Sequence, residues 1–146
     1  MAKTIDNDGL ICCDEELIKT VIGAADRVLG ELGPGLLESV YEAALAMELV
    51  DAGLSAKRQV QIPALYRGRD LGLGFRADLI VEDCLLLELK TVDELSKLNV
   101  AQILTYLKLL GFRRGYLLNF NSRNLSEGKR RVTYYPRKPE EKMNDS

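Results

Sequence analysis

Asp78 and the tripeptide Glu88-Leu89-Lys90 place two carboxylates and an ammonium on neighbouring extended-looking runs. The run 71–81, LGLGFRADLIV, alternates, with apolar side chains at Leu71, Leu73, Phe75, Ala77, Leu79 and Val81. The run 84–90, CLLLELK, is apolar until it reaches Glu88 and Lys90. Strand side chains repeat every two residues, so Glu88 and Lys90 point to one face. If the two strands pair, Asp78 can join them. Two carboxylates converging on one spot repel unless a cation lies between them. Mg²⁺, with Mn²⁺ as its usual substitute, takes such hard oxygen ligands: one or two carboxylates, waters and substrate phosphate.

Whether Asp78 joins them depends on register. Opposing Asp78 to Glu88 sets Val81 against Leu85 across a three-residue loop, Glu82-Asp83-Cys84. A two-residue loop, Glu82-Asp83, opposes Ala77 to Glu88 instead and sends Asp78 to the other face. A metal site requires the first register or another of its parity. The plainer alternative is a cross-strand charge ladder on a solvated face.

The elements that must hold these groups can be read from periodicity. Asp14 is a suitable N-cap for a helix over about 15–30, with an apolar stripe from Leu17 to Leu29. Pro34 suits the first turn of a second helix over about 35–52, which Gly53 ends. Glu38 and Tyr41 share a face there, Tyr41 reading as core. Strands are expected at 57–66, 71–81 and 84–91, then a helix at 96–111 capped by Ser96, then strands at 114–120 and 130–135. Gln102 and Tyr106 lie four apart on the last helix, suited either to helix packing or to substrate contact. The order implies an α/β or α+β layer arrangement, helices packed on a mixed sheet. One domain is expected over 14–135, between a flexible N-terminus (1–13) and a disordered tail (136–146).

Composition removes many alternatives. The chain has 146 residues and no histidine, which excludes Ser-His-Asp and Cys-His hydrolases and histidine-based zinc sites. There is no phosphate-binding GxxxxGK[ST] loop. No apolar run is long enough to cross a bilayer, and no membrane partner is expected. Three cysteines, Cys12, Cys13 and Cys84, lack metal-ligand spacing and read as reduced thiols in a cytoplasmic protein. The net charge of −2 does not announce a nucleic-acid binder, although Lys57-Arg58, Arg67 and Arg69, Arg113-Arg114 and Lys129-Arg130-Arg131 form local basic clusters.

The segment Gly35-Leu-Leu-Glu38-Ser-Val-Tyr41 resembles the motif that names the GxxExxY proteins. The similarity continues through Arg76-Ala77-Asp78-Leu79, Glu88-Leu89-Lys90, the stretch from Ala101 to Lys108 and Leu117-Leu118-Asn119-Phe120. That family resembles the PD-(D/E)XK nuclease superfamily. The resemblance implies a restriction-endonuclease-like core of about five strands in a mixed sheet flanked by helices. It implies Asp78 and Glu88 as metal ligands, with the Leu89 backbone carbonyl as a further oxygen. Lys90 is implied as the active-site lysine, Glu38 as an acid supplied by a helix, and Gln102 and Tyr106 as side chains lining the site. Two positions depart from the pattern: Asn99 stands where many members carry histidine, and Ala77 replaces the superfamily's proline before Asp78. The function implied is a Mg²⁺- or Mn²⁺-dependent phosphodiesterase acting on DNA or RNA, possible partners being a second copy or another protein. The alternative is a catalytically inactive nuclease-fold module that binds nucleic acid or a protein.

Overall fold

Alternating and continuous apolar runs build a central sheet, and two sets of helical stripes cover its faces. The computed structural model describes residues 3–136. In chain order its elements are β1 (Lys3–Ile5), β2 (Ile11–Cys13), α1 (Glu15–Leu32), α2 (Glu38–Asp51), β3 (Ala56–Tyr66), β4 (Arg69–Val81), β5 (Leu85–Lys90), α3 (Lys97–Leu110), β6 (Arg114–Asn119), α4 (Leu125–Gly128) and β7 (Lys129–Thr133). The five-stranded sheet runs β3-β4-β5-β6-β7, all neighbours antiparallel except β5 and β6. A parallel pair cannot be joined by a tight turn, and α3 provides the crossover. This is the mixed α/β architecture expected, consistent with the restriction-endonuclease-like fold.

Local chemistry sets the helix ends. The Asp14 carboxylate accepts from the Leu17 N–H at 2.8 Å and starts α1. Ser96 and Asn99 cap each other's backbone N–H groups at the start of α3. Gly111, at φ 75°, ends α3 in the left-handed conformation that glycine adopts at little cost.

The sheet separates two hydrophobic clusters. Leu79, Val81, Leu85, Leu87 and Leu89 pack with α1 and α2 on one face. Ala77, Ile80, Leu86 and Leu117 pack with Ile103, Tyr106 and Leu107 of α3 on the other. Leu85 to Leu89 are all buried, as a central strand covered on both faces requires.

Three expectations need correction. Helix α2 begins at Glu38 rather than near Pro34, because Gly33 and Gly35 take φ values of 70° and 98° that interrupt helical backbone. The segment 1–13, expected to be flexible, forms from residue 3 the β1–β2 hairpin. Arg113 donates to Asp6 at 2.8 Å and Asp8 at 2.5 Å, and Ile11 exchanges backbone bonds with Gly111 and Arg113. Cys13 and Cys84, expected as free thiols, are joined in a disulfide spanning 71 residues, with a Cα–Cα distance of 5.6 Å. Docking of β2 against Gly111 to Arg113, just ahead of β6, brings them together, which chain spacing does not reveal. With Cys13 and Cys84 oxidised, cysteine usage no longer points to a cytoplasmic location. Cys12 alone remains a free thiol among the described residues. Residues 137–146 of the expected tail lie outside the described residues. No described helix is long and apolar enough to cross a membrane.

Candidate active site

The turn between β4 and β5 decides which groups meet. Glu82 and Asp83 both take φ 51°, and the Cys84 N–H closes the turn on the Val81 carbonyl at 3.0 Å. Two successive left-handed residues give the primed turn geometry that suits strand twist. The ladder then pairs Val81 with Leu85, Ile80 with Leu86 and Leu79 with Leu87. Continued by one step, it sets Asp78 opposite Glu88.

An irregularity on the other side of β4 turns Asp78 toward this partner. The β3–β4 ladder pairs Arg58 with Leu79 and Val60 with Ala77, but skips Gln59 and Asp78. Gln59 sits at φ 51°. Leu79 packs in the α1–α2 cluster, whereas Ala77, of the same parity, packs in the α3 cluster. The strand therefore changes face at Asp78, the kind of local distortion that re-aims a side chain. Asp78 Oδ2 accepts from the Leu89 N–H at 2.8 Å, and the Asp78 N–H donates to Glu88 Oε1 at 3.3 Å. In an extended strand one residue's N–H and C=O project to the same edge, so the Leu89 carbonyl is directed to the Asp78 side.

Electrostatics tie further groups to the pair. Glu88 is 5% exposed, and its carboxyl is pushed up to about 9, first by burial and then by the Asp78 charge, with Lys90 opposing. Glu38, the first residue of α2, is also raised by burial and Asp78 and lowered by Lys90. The Tyr106 hydroxyl is raised by burial, then by Glu88 and Asp78. The Asp78 charge thus reaches Glu88, Glu38 and Tyr106, and the Lys90 charge reaches Glu88 and Glu38. Gln102 is exposed, one turn before Tyr106, and both line a neighbouring cleft with Phe75 and Leu98 rather than the cleft of the acids.

The loop before α2 explains how Glu38 is delivered. Tyr41 is fully buried and stacks on Phe120 at 4.7 Å between ring centroids. Its hydroxyl donates to the Gly33 carbonyl at 2.6 Å and accepts from the Leu36 N–H at 3.1 Å. Gly35 makes the turn, Tyr41 pins it, and Glu38 starts the helix at the rim of the site.

A cleft of about 470 Å³ opens here, lined by Glu38, Ser39, Glu42, Gln59, Arg76, Asp78 and Leu89. A wider cleft of about 520 Å³ lies around Asn121 and Arg123 and contains none of these acids. Four cleft residues, Ser39, Glu42, Gln59 and Arg76, escape a reading of the sequence. Glu42 is 6% exposed and held by Arg58, 2.9 Å away, and by the Gln59 amide. It lies one helical turn after Glu38, and that spacing is the signal that could have found it. Gln59 and Arg76 carry no such signal, because nothing in the residue pattern announces the left-handed backbone opposite Asp78.

Two carboxylates with a carbonyl directed alongside fit a hard divalent cation in the mode that uses few protein ligands and several waters. The fit is not that of a closed protein cage: among the described residues no three His, Cys, Asp or Glu side chains gather closely enough for one. A buried carboxyl forced to hold its proton beside a second carboxylate is the condition that a cation relieves.

Comparison with curated proteins and with solved structures finds no match for this chain. Comparison with protein families finds one, described as the PD-(D/E)XK nuclease superfamily, over residues 15–132. The matched span runs through α1, the Glu38 loop, the β4–β5 hairpin and α3, and it covers most of the molecule. On that extent of agreement, the chain belongs to the PD-(D/E)XK nuclease superfamily.

Proposed function

We propose that the protein is a divalent-metal-dependent phosphodiesterase that hydrolyses DNA or RNA. One observation carries the reading: Asp78 and Glu88 meet across the β4–β5 hairpin, with the Glu88 carboxyl buried against the Asp78 charge beside Lys90. Asp78, Glu88 and the Leu89 carbonyl are the groups that would hold Mg²⁺ or Mn²⁺. A bound ion of this type supplies Lewis-acid polarisation of the phosphodiester and makes an attacking water more acidic. Lys90, beside the carboxylates, stabilises the negative charge that grows on the phosphoryl oxygens. Glu38, at the rim and with a raised proton affinity, orients a water and takes its proton. Tyr106 closes the α3 side and donates from its hydroxyl. Gln102 belongs to the approach rather than the centre. The Gly35, Glu38 and Tyr41 arrangement supports placing the chain among the GxxExxY proteins.

A second reading, a nuclease fold kept as a binding module, is favoured by the sparse acid set among the described residues. Cleavage of labelled DNA and RNA with Mg²⁺ or Mn²⁺ separates the two. Asp78→Asn and Lys90→Ala are each expected to lower the rate by about 10²–10³-fold, the size of a lost transition-state contact. Equal residual cleavage by wild type and both variants would remove the enzymatic reading and leave the module.

A further inference from the structure

Charge is distributed unevenly along this chain. Residues 57–76 contain Lys57, Arg58, Arg67, Arg69 and Arg76 against the single acid Asp70. This twenty-residue stretch is therefore +4 in a protein of net charge −2. It forms the β3–β4 hairpin, whose outer part, from Leu65 to Gly74, is exposed throughout. Lys57 is paired with Asp83 and Arg58 with Glu42, but among the described residues Arg67, Arg69 and Arg76 enter no ion pair. The Arg67 guanidinium instead lies over the Tyr66 ring, 5.6 Å from its centroid. Leu65, Tyr66, Leu71 and Leu73 on the same arm are 52%, 61%, 53% and 67% exposed.

The arm also has a direction. Its base supplies Gln59 and Arg76 to the cleft that contains Asp78. Gly74 lets the two strands approach closely there: a Cβ on it would lie 2.3 Å from the Ile62 carbonyl oxygen. Between Pro63 and Leu65 the pairing shifts, and Leu71, Gly72 and Leu73 bulge from the ladder. The result is a narrow, distorted two-stranded ribbon, basic and apolar together, that leads from open solvent to the carboxylates.

We propose that the β3–β4 ribbon is a nucleic-acid-gripping arm that docks in the major groove of duplex DNA and feeds the backbone to the Asp78 cleft. The inference deepens the nuclease reading and rests on it for the choice of polymer. A two-stranded ribbon fits the major groove of B-DNA, about 12 Å wide. The deep, narrow major groove of A-form RNA does not admit it. Arg67 and Arg69 meet phosphates, and the exposed leucines contact thymine methyl groups and sugar edges. A second copy of this chain is the poorer occupant. In a two-fold interface each patch faces itself, so the unpaired guanidiniums would oppose their own copies with only Asp70 to offset them.

The test is binding of a fluorescein-labelled DNA duplex in EDTA, titrated against salt, for wild type and Arg67→Ala/Arg69→Ala. Each lost phosphate contact lowers the slope of log K against log[salt] by about 0.9, so the double variant should lose about 1.8. Affinity at about 0.1 M salt should fall by roughly 10–100-fold, and wild type should prefer duplex DNA to duplex RNA of the same sequence. Turnover of bis(p-nitrophenyl) phosphate with Mn²⁺, a substrate too small to reach the arm, should be unchanged in the double variant. Identical affinity and slope in wild type and variant would overturn the proposal while the small diester still reports on the catalytic centre. Equal binding of duplex RNA would overturn it too, as would a dimer that Leu71→Asp/Leu73→Asp splits without loss of DNA affinity. Arm-dependent DNA binding with no diester turnover in any form would uphold the arm and remove the nuclease reading.

Discussion

Replacing Glu88 by Gln tests the electrostatic condition of the site directly. The amide keeps the carboxyl's shape and can still accept from the Asp78 N–H, but it cannot ionise. In the folded protein the Glu88 carboxyl is raised from 4.5 to about 9. Raised affinity for the proton means that its contribution to stability is complete below the unfolded value. That contribution is lost progressively as pH rises through the window from about 4.5 to about 9. At about 1.4 kcal/mol per pH unit, the metal-free wild type should have lost about 3 kcal/mol by pH 7 through this one group. Glu88→Gln should lose none of it. Urea unfolding followed by circular dichroism in EDTA should therefore give similar stabilities near pH 4.5. The two curves should then diverge in favour of the variant, by about 3 kcal/mol near pH 7. Saturating Mn²⁺ should stabilise the wild type and leave Glu88→Gln nearly unmoved, because the charge that the ion neutralises is missing. Parallel pH profiles for the two proteins in EDTA would refute the reasoning, since Glu88 would then already be ionised and satisfied without a cation.

Other outcomes follow from particular contacts. Cys13→Ser, or reduction of the wild type, should lower unfolding free energy by about 4 kcal/mol if opening a 71-residue loop is the main effect, read by urea midpoints with and without reductant. Tyr41→Phe strands the Gly33 carbonyl and the Leu36 N–H and should cost about 1–2 kcal/mol, with a loss of Glu38-dependent turnover larger than any loss of Mn²⁺ affinity. Deleting Asp83 shortens the β4–β5 turn by one residue and sends Asp78 or Glu88 to the wrong face, so calorimetric titration with Mn²⁺ should show no binding heat while helical dichroism persists.

Helices α1 and α3 and the chain order of the five sheet strands were legible because their signals are local. Asp14 capping α1, Ser96 capping α3 and Gly111 ending it are short-range chemistry, and each acts where the residue pattern puts it. Asp78 and Glu88 could be nominated for the same reason, being ten residues apart across one turn. Which of two registers they used was undecided in the sequence, because the left-handed conformation of Glu82 and Asp83 is not dictated by their side chains alone. What stayed hidden was non-local. Glu42 becomes part of the cleft only when Arg58 and Gln59 of β3 reach it. Cys13 meets Cys84 once the hairpin that carries it is docked by Arg113 and by the backbone bonds of Ile11. Asp6 and Arg113 are 107 residues apart, and no periodicity connects them.

The face change at Asp78 has an architectural consequence. A strand that serves one core up to Ala77 and the other from Leu79 onward makes its intervening residue a hinge pin between two separately packed halves. Loosened packing behind α1 and α2, or behind α3, should therefore change how its carboxylate is held. The proposed chemistry at such a seam should serve as a gauge of the whole molecule's integrity, failing when the packing on either face of the sheet is disturbed.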